Sequence, residues 1–314
     1  MTNIAQIDWN KLTAAEFYNW FSTEEAAFNI ADQLELLHSE VLCECGLMMK
    51  RQSCVKSKHG QQFACTNLRR ICRKTRSILA CSWFASSHIT ICQGFYTILA
   101  FSMEATCSQY SFFVGLRSLH TIVDYRSYFR NICASTIEST GSHLIGGPGL
   151  TVEVDESLLY KRKSHTGRLL ANERNHEWVV GGICRENSDA FVVKVENRNT
   201  ATLLNAINQN VISGSRIITD CWRAYTSELL DNYTHDRVNH SFNFVDPNDS
   251  SINTQRVERM WRTLKSIVSK SSSEETRFTY ISEFIFKQRN NWYSLTIGSR
   301  IKLIIDTIKR INLF

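Results

Sequence analysis

The spacing of hydrophobic residues divides the chain into a helical front half and a back half of alternating strands and helices. Apolar residues recur at helical spacing over residues 10–40 and again over residues 88–138. Between them, residues 43–76 are rich in cysteine and basic residues and have no helical period. The sequence Gly146-Gly147-Pro148-Gly149 holds one of the two prolines of the chain, and we interpret it as a domain boundary.

Beyond this boundary, short apolar runs alternate with helical patterns. The elements predicted there are strands at 151–160, 177–185 and 190–196, a helix at 200–211, a strand at 216–220, a helix from 222 to about 230, a strand at about 237–240 and a long helix at about 254–270. This order predicts an α/β layered domain. Two further helices are predicted at 278–292 and 297–312.

Two aspartates fall on predicted strands of this domain. Val152 and Val154 share one face of the first strand, so Asp155 shares the other face with Glu153. An acid in an apolar strand is costly unless it is paired or binds a cation. Asp220 ends the short strand at 216–220, and open α/β sheets place their sites at the carboxyl ends of strands. The two aspartates are therefore expected to converge on one metal pocket.

A third carboxylate, Glu258, lies on the last helix of the domain. It stands beside the apolar stripe of that helix and in line with Arg262 and Lys265. A single acid of this kind is more often a helix cap or a surface charge. Three acids in this order favour a hard-oxygen site for Mg²⁺ or Mn²⁺ that serves phosphoryl transfer.

The charge distribution suits a polyanionic partner. The net charge is only +6, but positive residues concentrate between Lys50 and Arg76 and again from Arg256 onward, while the first forty residues are acidic. A solvated surface is the alternative interpretation of each cluster. There is no run of 18 apolar residues and no visible signal peptide, so we expect a soluble intracellular protein, nuclear in a eukaryotic host, with no membrane partner.

The eleven cysteines are not expected to form a disulfide framework, because no secretory signal is visible, and six that stand singly in mostly apolar sequence are interpreted as small buried hydrophobic residues. Cys43 and Cys45 form one pair, and Cys65 and Cys72 form another, with basic sequence between them. Four thiolates can make a tetrahedral structural zinc site. The alternative is four free thiols, and Cys54 is a possible substitute ligand.

A helix-turn-helix is a possible interpretation of residues 88–138, with a break near Leu116–Ser118. The candidate recognition helix would begin near His120 and carry Arg126 and Arg130 toward the major groove. A plain helical bundle remains the alternative.

Several segments in order resemble the Merlin superfamily of DDE transposases and its bacterial insertion-sequence relatives. The segments are Val152-Glu153-Val154-Asp155-Glu156-Ser157, Lys161-Arg162-Lys163 with Gly167-Arg168, Thr219-Asp220-Cys221-Trp222-Arg223-Ala224-Tyr225, Val238-Asn239-His240-Ser241 with Phe244-Val245-Asp246-Pro247, and residues 253–265. The resemblance covers roughly residues 150–270 and continues more weakly back to residue 40. It implies a ribonuclease-H-like fold in which Asp155, Asp220 and Glu258 are the catalytic triad and hold two Mg²⁺ or Mn²⁺ ions.

The resemblance also implies a zinc-ribbon-like segment and a domain order. We predict an N-terminal helical segment (1–42), a zinc-ribbon-like segment (43–80), a helical, possibly helix-turn-helix, DNA-binding domain (85–140), a linker (141–150), the ribonuclease-H-like catalytic domain with a mixed sheet and flanking helices (151–270) and C-terminal helices (271–314).

The implied activity is metal-dependent cleavage and strand transfer at terminal inverted repeats, by a protein that is at least a dimer. Candidate contacts to double-stranded DNA are Lys161, Arg162, Lys163, Arg168, His240, Arg262, Lys265, Arg126 and Arg130. A solvated hairpin is the alternative for the residues from 161 to 168, and a strand cap is the alternative for His240. Two other functions stay open: a non-catalytic, host-adopted or inactive DNA-binding derivative, and a nuclease that cuts without strand transfer.

Overall fold

The predicted helices and strands belong to two units of the chain. The structure, a computed structural model, describes residues 4, 7–67, 72–85, 87–141, 143–161, 176–220, 232–238, 247, 249–268 and 273–312. One unit comprises Met1–Ile132 and Ser294–Phe314, and the other comprises Cys133–Tyr293. The predicted C-terminal segment 271–314 is thus divided between the units.

Among the described residues, the α-helices are α1 (Ala14–Trp20), α2 (Glu24–Gln33), α3 (Ile91–Ser102), α4 (Cys107–Val114), α5 (Leu119–Thr140), α6 (Thr200–Asn210), α7 (Gln255–Ile267), α8 (Glu274–Arg289) and α9 (Ile297–Asn312). The strands are β1 (Glu40–Leu42), β2 (Met48–Ser53), β3 (Gln61–Cys65), β4 (Thr75–Ser77), β5 (Thr151–Lys161), β6 (His176–Cys184), β7 (Ala190–Val195), β8 (Arg216–Asp220) and β9 (Thr234–Val238).

Local sequence signals start several helices of the first unit. Thr13, Thr90 and Thr106 cap α1, α3 and α4 in reciprocal capping boxes with the Glu or Gln three residues later. Aromatic pairs fill the core between the helices, with the rings of Phe21 and Phe95 stacked at 4.1 Å. The apolar stripe predicted for the last helix is buried in α9, as its four isoleucines at 301, 304, 305 and 308 illustrate.

The cysteine-rich segment of this unit folds as an antiparallel sheet in the order β1-β2-β3-β4. Met49 of β2 and Phe63 of β3 are fully buried on one face. The β1–β2 and β3–β4 connections lie at the same end of the sheet, and this places the two cysteine pairs near each other.

The second unit contains a five-stranded mixed sheet in the order β7-β6-β5-β8-β9. The β5–β8 and β8–β9 pairs are parallel, whereas β6 is antiparallel to both of its neighbours. The fold of this unit is therefore α/β, as predicted. The last strand begins at Thr234, three residues before the predicted start, and the predicted helix from 222 to about 230 lies outside the described residues.

Helices cover both faces of this sheet. Val152 and Val154 of β5 pack with Leu203 of α6 on one face. On the other face, apolar residues of α7 and α8 pack against β6 and β7, with Trp261 and Leu264 buried in that layer. The residues of β5 that face α7 are Glu153 and Asp155, because side chains alternate along a strand. Strand β5 thus presents acids to one helix layer and valines to the other. None of the described helices is long and apolar enough to cross a lipid bilayer.

Candidate active site and cysteine cluster

The parallel pairing of β5 and β8 brings two of the predicted acids together. Thr151 pairs with Arg216 and Glu153 pairs with Ile218. Continuing this register by two residues sets Asp155 beside Asp220, the last residue of β8. Neighbouring strands lie about 4.8 Å apart. The two carboxyl groups therefore lie close together on the same face of the sheet.

The environment of Asp155 disfavours its charged form. Burial, followed by the charges of Glu156 and Asp220, raises the pKa of Asp155 to about 7. Two hydrogen bonds oppose this rise, one of them donated by the indole of Trp261. A divalent cation beside the carboxyl groups would offset both the burial and the repulsion. The pair has the chemistry expected of a metal-binding site.

Helix α7 contacts Asp155 directly. The Trp261 Nε1–H donates to Asp155 Oδ2 at 3.0 Å. Gly181 stands opposite Asp155 in β6, and a methyl group added there would lie only 2.6 Å from Cη2 of Trp261. The absence of a side chain at Gly181 thus makes the space in which the indole reaches the aspartate.

The third predicted acid, Glu258, lies in the first turn of the same helix. It accepts a hydrogen bond from the Thr254 hydroxyl at 3.3 Å and is half-buried. Because Glu258 precedes Trp261 by three residues, the two side chains neighbour each other on one side of α7. The helix therefore carries Glu258 on the side from which Trp261 reaches Asp155.

Sequence reasoning did not assign roles to two other residues of this layer, Glu153 and Arg185. Glu153 is 0% exposed and accepts hydrogen bonds from the Arg185 side chain and from the first turn of α7. The alternation of β5 put Glu153 on the face of Asp155. Its partners are distant in the sequence and left no local signal.

The chain is similar to one protein family and to one solved structure. Residues 145–289 match the family described as the ISXO2-like transposase domain, a span that includes all three predicted acids. Residues 145–289 form a DDE transposase domain. The chain also resembles the structure entitled "Crystal structure of the Mos1 Strand Transfer Complex", at 12% identity over 64% of this chain and 76% of that one, with a TM-score of 0.19. No curated protein matches the chain significantly.

The cysteine cluster precedes the transposase domain. The sulfurs of Cys43, Cys45, Cys65 and Cys72 all lie within 4.8 Å of one another. Cys43 Sγ is 3.6 Å from Cys72 Sγ, and Cys45 Sγ is 3.4 Å from Cys65 Sγ. Tetrahedral zinc with bonds of about 2.3 Å requires sulfurs about 3.8 Å apart. The predicted four cysteines are thus gathered, and their spacing fits zinc.

Backbone donors surround this cluster. The N–H groups of Leu47, Asn67 and Lys74 donate to the sulfurs of the cysteines two positions earlier. Such bonds stabilise thiolates and orient them, as outer partners of a metal site do. Glu44 and Lys74 form an ion pair that joins the two cysteine-bearing turns. The cluster could hold one zinc ion.

The predicted DNA contacts differ in their placement. Arg262 and Lys265 are exposed on α7 of the transposase domain. Lys161 is the last residue of β5, and the structure does not describe its side chain. The predicted contacts that lie outside the described residues are Arg162, Lys163, Arg168 and His240.

The two arginines chosen for groove contact do not lie free on α5. Arg130 is only 6% exposed, so it does not present a guanidinium to solvent. Arg126 is half-buried and donates to the Ala105 carbonyl at 3.2 Å, with its guanidinium over the Tyr110 ring. Both side chains pack within the unit, because the long apolar stem of arginine is readily buried. The prediction that they read DNA is not supported.

Proposed function

We propose that this protein is a DDE transposase of the Merlin superfamily that cuts DNA and transfers strands at terminal inverted repeats. The observation that carries the proposal is that Asp155 and Asp220 lie on the parallel strands β5 and β8 inside a transposase domain, with the charge of Asp220 contributing to the raised pKa of Asp155. The strand order β7-β6-β5-β8-β9, with β6 alone antiparallel, supports a ribonuclease-H-like arrangement.

The three acids have the donor chemistry that two divalent ions would need. Three carboxylates supply hard oxygen ligands of the kind that Mg²⁺ and Mn²⁺ prefer. When bound, such ions supply activation of the attacking oxygen and stabilisation of the leaving 3′-oxygen at a phosphodiester. Asp155 and Asp220 would contribute their carboxylates from the sheet, and Glu258 would contribute its own from α7. Trp261 orients Asp155 by holding one of its oxygens.

Other residues of the domain would hold DNA. Arg262 and Lys265 are exposed on the helix that carries Glu258, so they can contact phosphates near the reacting bond. Arg162, Lys163, Arg168 and His240 remain proposed contacts on sequence grounds alone, as does Lys161. The same chemistry applies to the element's ends and to target DNA.

A cleavage assay tests the function. Duplex DNA carrying the inverted repeats that flank the coding sequence is incubated with Mg²⁺ or Mn²⁺ and with wild type, Asp220→Asn or Glu196→Gln. Glu196 is an exposed acid just beyond β7 and serves as the matched control. We expect cleavage that requires metal, disappears in Asp220→Asn and persists in Glu196→Gln.

Two outcomes would redirect the proposal. A folded wild type that binds the ends without cutting them would favour a non-catalytic derivative. Cut ends that never join to a target plasmid would favour a nuclease without strand transfer. Multi-angle light scattering on paired-end DNA tests the proposed dimer, and a monomer both free and on DNA would contradict it.

The first unit would bind the ends through its cysteine cluster and helices. Cys43, Cys45, Cys65 and Cys72 would hold a structural zinc that fixes the β1–β4 sheet. Helices α4 and α5 are joined by a short turn in which Gly115 adopts φ +71°, an arrangement that supports a helix-turn-helix. A competition gel shift with scrambled DNA tests specificity, and equal affinity would contradict it.

We propose that base contacts come from the exposed start of α5 and not from Arg126 and Arg130. Leu119, His120 and Val123 are exposed within its first two turns. Residues at the start of a recognition helix contact base edges. We expect His120→Ala to weaken binding to terminal-repeat DNA more than binding to scrambled DNA, whereas a phosphate contact would weaken both alike.

A further inference from the structure

The transposase domain contains a buried acid that the proposed metal site does not use. Glu153 is 0% exposed and lies on β5, two residues before Asp155 and on the same face. A buried carboxylate is strongly unfavourable unless its acceptors are satisfied. The partners of Glu153 therefore reveal its role.

Donors on other elements occupy both oxygens of Glu153. Oε1 accepts from Nε of Arg185 at 2.6 Å. Oε2 accepts from the backbone N–H groups of Arg256 at 2.8 Å and Val257 at 3.0 Å. With these three bonds made, the carboxylate is an anchor for protein groups and is not offered to a metal ion.

The helix that Glu153 contacts has no side-chain cap of its own. Thr254, the residue before α7, makes no capping hydrogen bond and has φ −122° and ψ 26°. The first N–H groups of a helix need acceptors from elsewhere, and a negative charge at this end is favourable. Glu153 supplies both the acceptor and the negative charge, and it precedes Arg256 by 103 residues in the sequence.

Arg185 extends the anchor to the chain that enters α7. Its two terminal nitrogens donate to the carbonyls of Ser251 and Asn253, each at 2.6 Å. The Arg256 side chain in turn donates to the carbonyl of Arg185. The approach to the helix and its first turn are thus held to the same arginine–glutamate pair.

A second contact between α7 and β5 lies one helical turn further along α7. Val257 is tied to Glu153, and Trp261 is tied to Asp155. Two residues of strand span about 6.6 Å and four residues of helix span about 6 Å, so the two attachments match in length. Glu258 lies between them in the sequence of α7 and directly follows Val257.

We infer that Glu153 and Arg185 are positioning residues that fix α7 so that the Glu258 carboxylate completes the metal site with Asp155 and Asp220. This inference rests on the proposed function. Neither residue touches metal or DNA in this scheme. Their removal moves the third ligand relative to the first two, and the direct consequence is weaker metal binding.

The test measures Mn²⁺ binding by electron paramagnetic resonance in the full-length protein, free of DNA. Glu153→Gln removes the negative charge that contacts both the Arg185 side chain and the first turn of α7. We expect its Mn²⁺ affinity to be about 10- to 100-fold weaker, the usual effect of losing an outer partner of a metal site. The Mn²⁺ concentration for half-maximal cleavage is expected to rise in parallel, while affinity for terminal-repeat DNA is unchanged.

Glu186→Gln is the matched control. Glu186 also accepts a backbone N–H, from Thr151 at 3.0 Å, and among the described residues none of its side-chain hydrogen bonds goes to α7. It is expected to keep wild-type Mn²⁺ affinity. If Glu153→Gln does not fold, Arg185→Lys decides, because lysine keeps the charge beside Glu153 but cannot also hold both carbonyls. It is expected to bind Mn²⁺ more weakly.

The outcomes separate the inference from the function on which it rests. A wild-type protein that binds no Mn²⁺ overturns both. A wild type that binds Mn²⁺ through Asp155 and Asp220, with folded Glu153→Gln or Arg185→Lys binding it equally well, overturns the positioning role alone. If the variants lose thermal stability but keep their Mn²⁺ affinity, the two residues are purely structural, and the positioning role is again overturned.

Discussion

Gly181→Ala tests whether the indole of Trp261 needs the space opposite Asp155. The added methyl group would lie 2.6 Å from Trp261 Cη2, 2.9 Å from Met260 Cε and 2.9 Å from the carbonyl oxygen of Phe191. Carbon atoms in contact normally lie about 3.5–4.0 Å apart. Since the carbonyl belongs to the sheet and cannot move freely, the indole and the methionine must retreat.

The cost follows from these distances. A retreat of about 1 Å by the indole relieves the overlap and lengthens its 3.0 Å bond to Asp155 Oδ2 beyond hydrogen-bonding range. A bond to a charged acceptor contributes about 1.5–3 kcal/mol, and overpacking costs about 1–3 kcal/mol. We expect Gly181→Ala to lower the free energy of unfolding by about 3 kcal/mol at pH 8, where Asp155 is ionised.

A double-mutant cycle with Trp261→Phe isolates the contact. Phenylalanine has neither Cη2 nor an N–H donor, so the hydrogen bond is already absent and part of the overlap is gone. Urea denaturation should give a cost for Gly181→Ala about 1–2 kcal/mol smaller in the Trp261→Phe background than in wild type. Equal costs in the two backgrounds would refute the reasoning and assign the clash to Met260 or the sheet backbone.

Three further predictions concern separate parts of the chain. In the metal-free protein, burial raises the pKa of Asp155 to about 7. The folded state then holds a proton that the unfolded state has lost, so in urea denaturation the wild type should lose up to about 4 kcal/mol of stability relative to Asp155→Asn as the pH rises from 3.8 to about 7. Cys65→Ser should abolish bound zinc, measured by elemental analysis, while Cys54→Ser keeps it; equal zinc loss in both would contradict the proposed ligand set. Glu177→Gln should cost about 3–5 kcal/mol in urea denaturation, because it leaves buried Arg277 without the carboxylate that now binds it at 2.6 and 2.8 Å; a cost below about 1 kcal/mol would contradict this.

The sequence was sufficient where the signal is local or periodic. Alternation along β5 predicts both the strand and the acids on one face, and β8 has the predicted limits. The grouping of Cys43 and Cys45 with Cys65 and Cys72 was predicted from their clustering in the sequence and from the family resemblance, and the four sulfurs are gathered in the structure. In these cases the physical cause lies within a few residues of the feature.

The sequence was insufficient where the cause is tertiary. The contacts of α7 join it to residues of β5 that are more than 100 positions away, so no window of sequence contains both partners. Arg130 was predicted to contact DNA from the candidate recognition helix, yet it is buried in the unit. A sequence pattern predicts the buried or exposed side of a helix from residue types. In the folded protein, the space between neighbouring elements decides which side chains are buried.

Glu153 and Asp155 illustrate how the fold separates two similar acids. They lie two residues apart on one face of β5, and sequence alone gives them the same chemistry. Glu153 meets an arginine and two helix N–H groups, which together satisfy its oxygens. Asp155 accepts hydrogen bonds from the Trp261 indole and from the backbone of Glu156, but it also faces the negative charges of Glu156 and Asp220, and burial together with these charges raises its pKa. A buried acid with satisfied oxygens holds the structure together, whereas a buried acid among other acids creates a demand for a cation. That difference is the physical ground for assigning Asp155 to the metal site and Glu153 to its support.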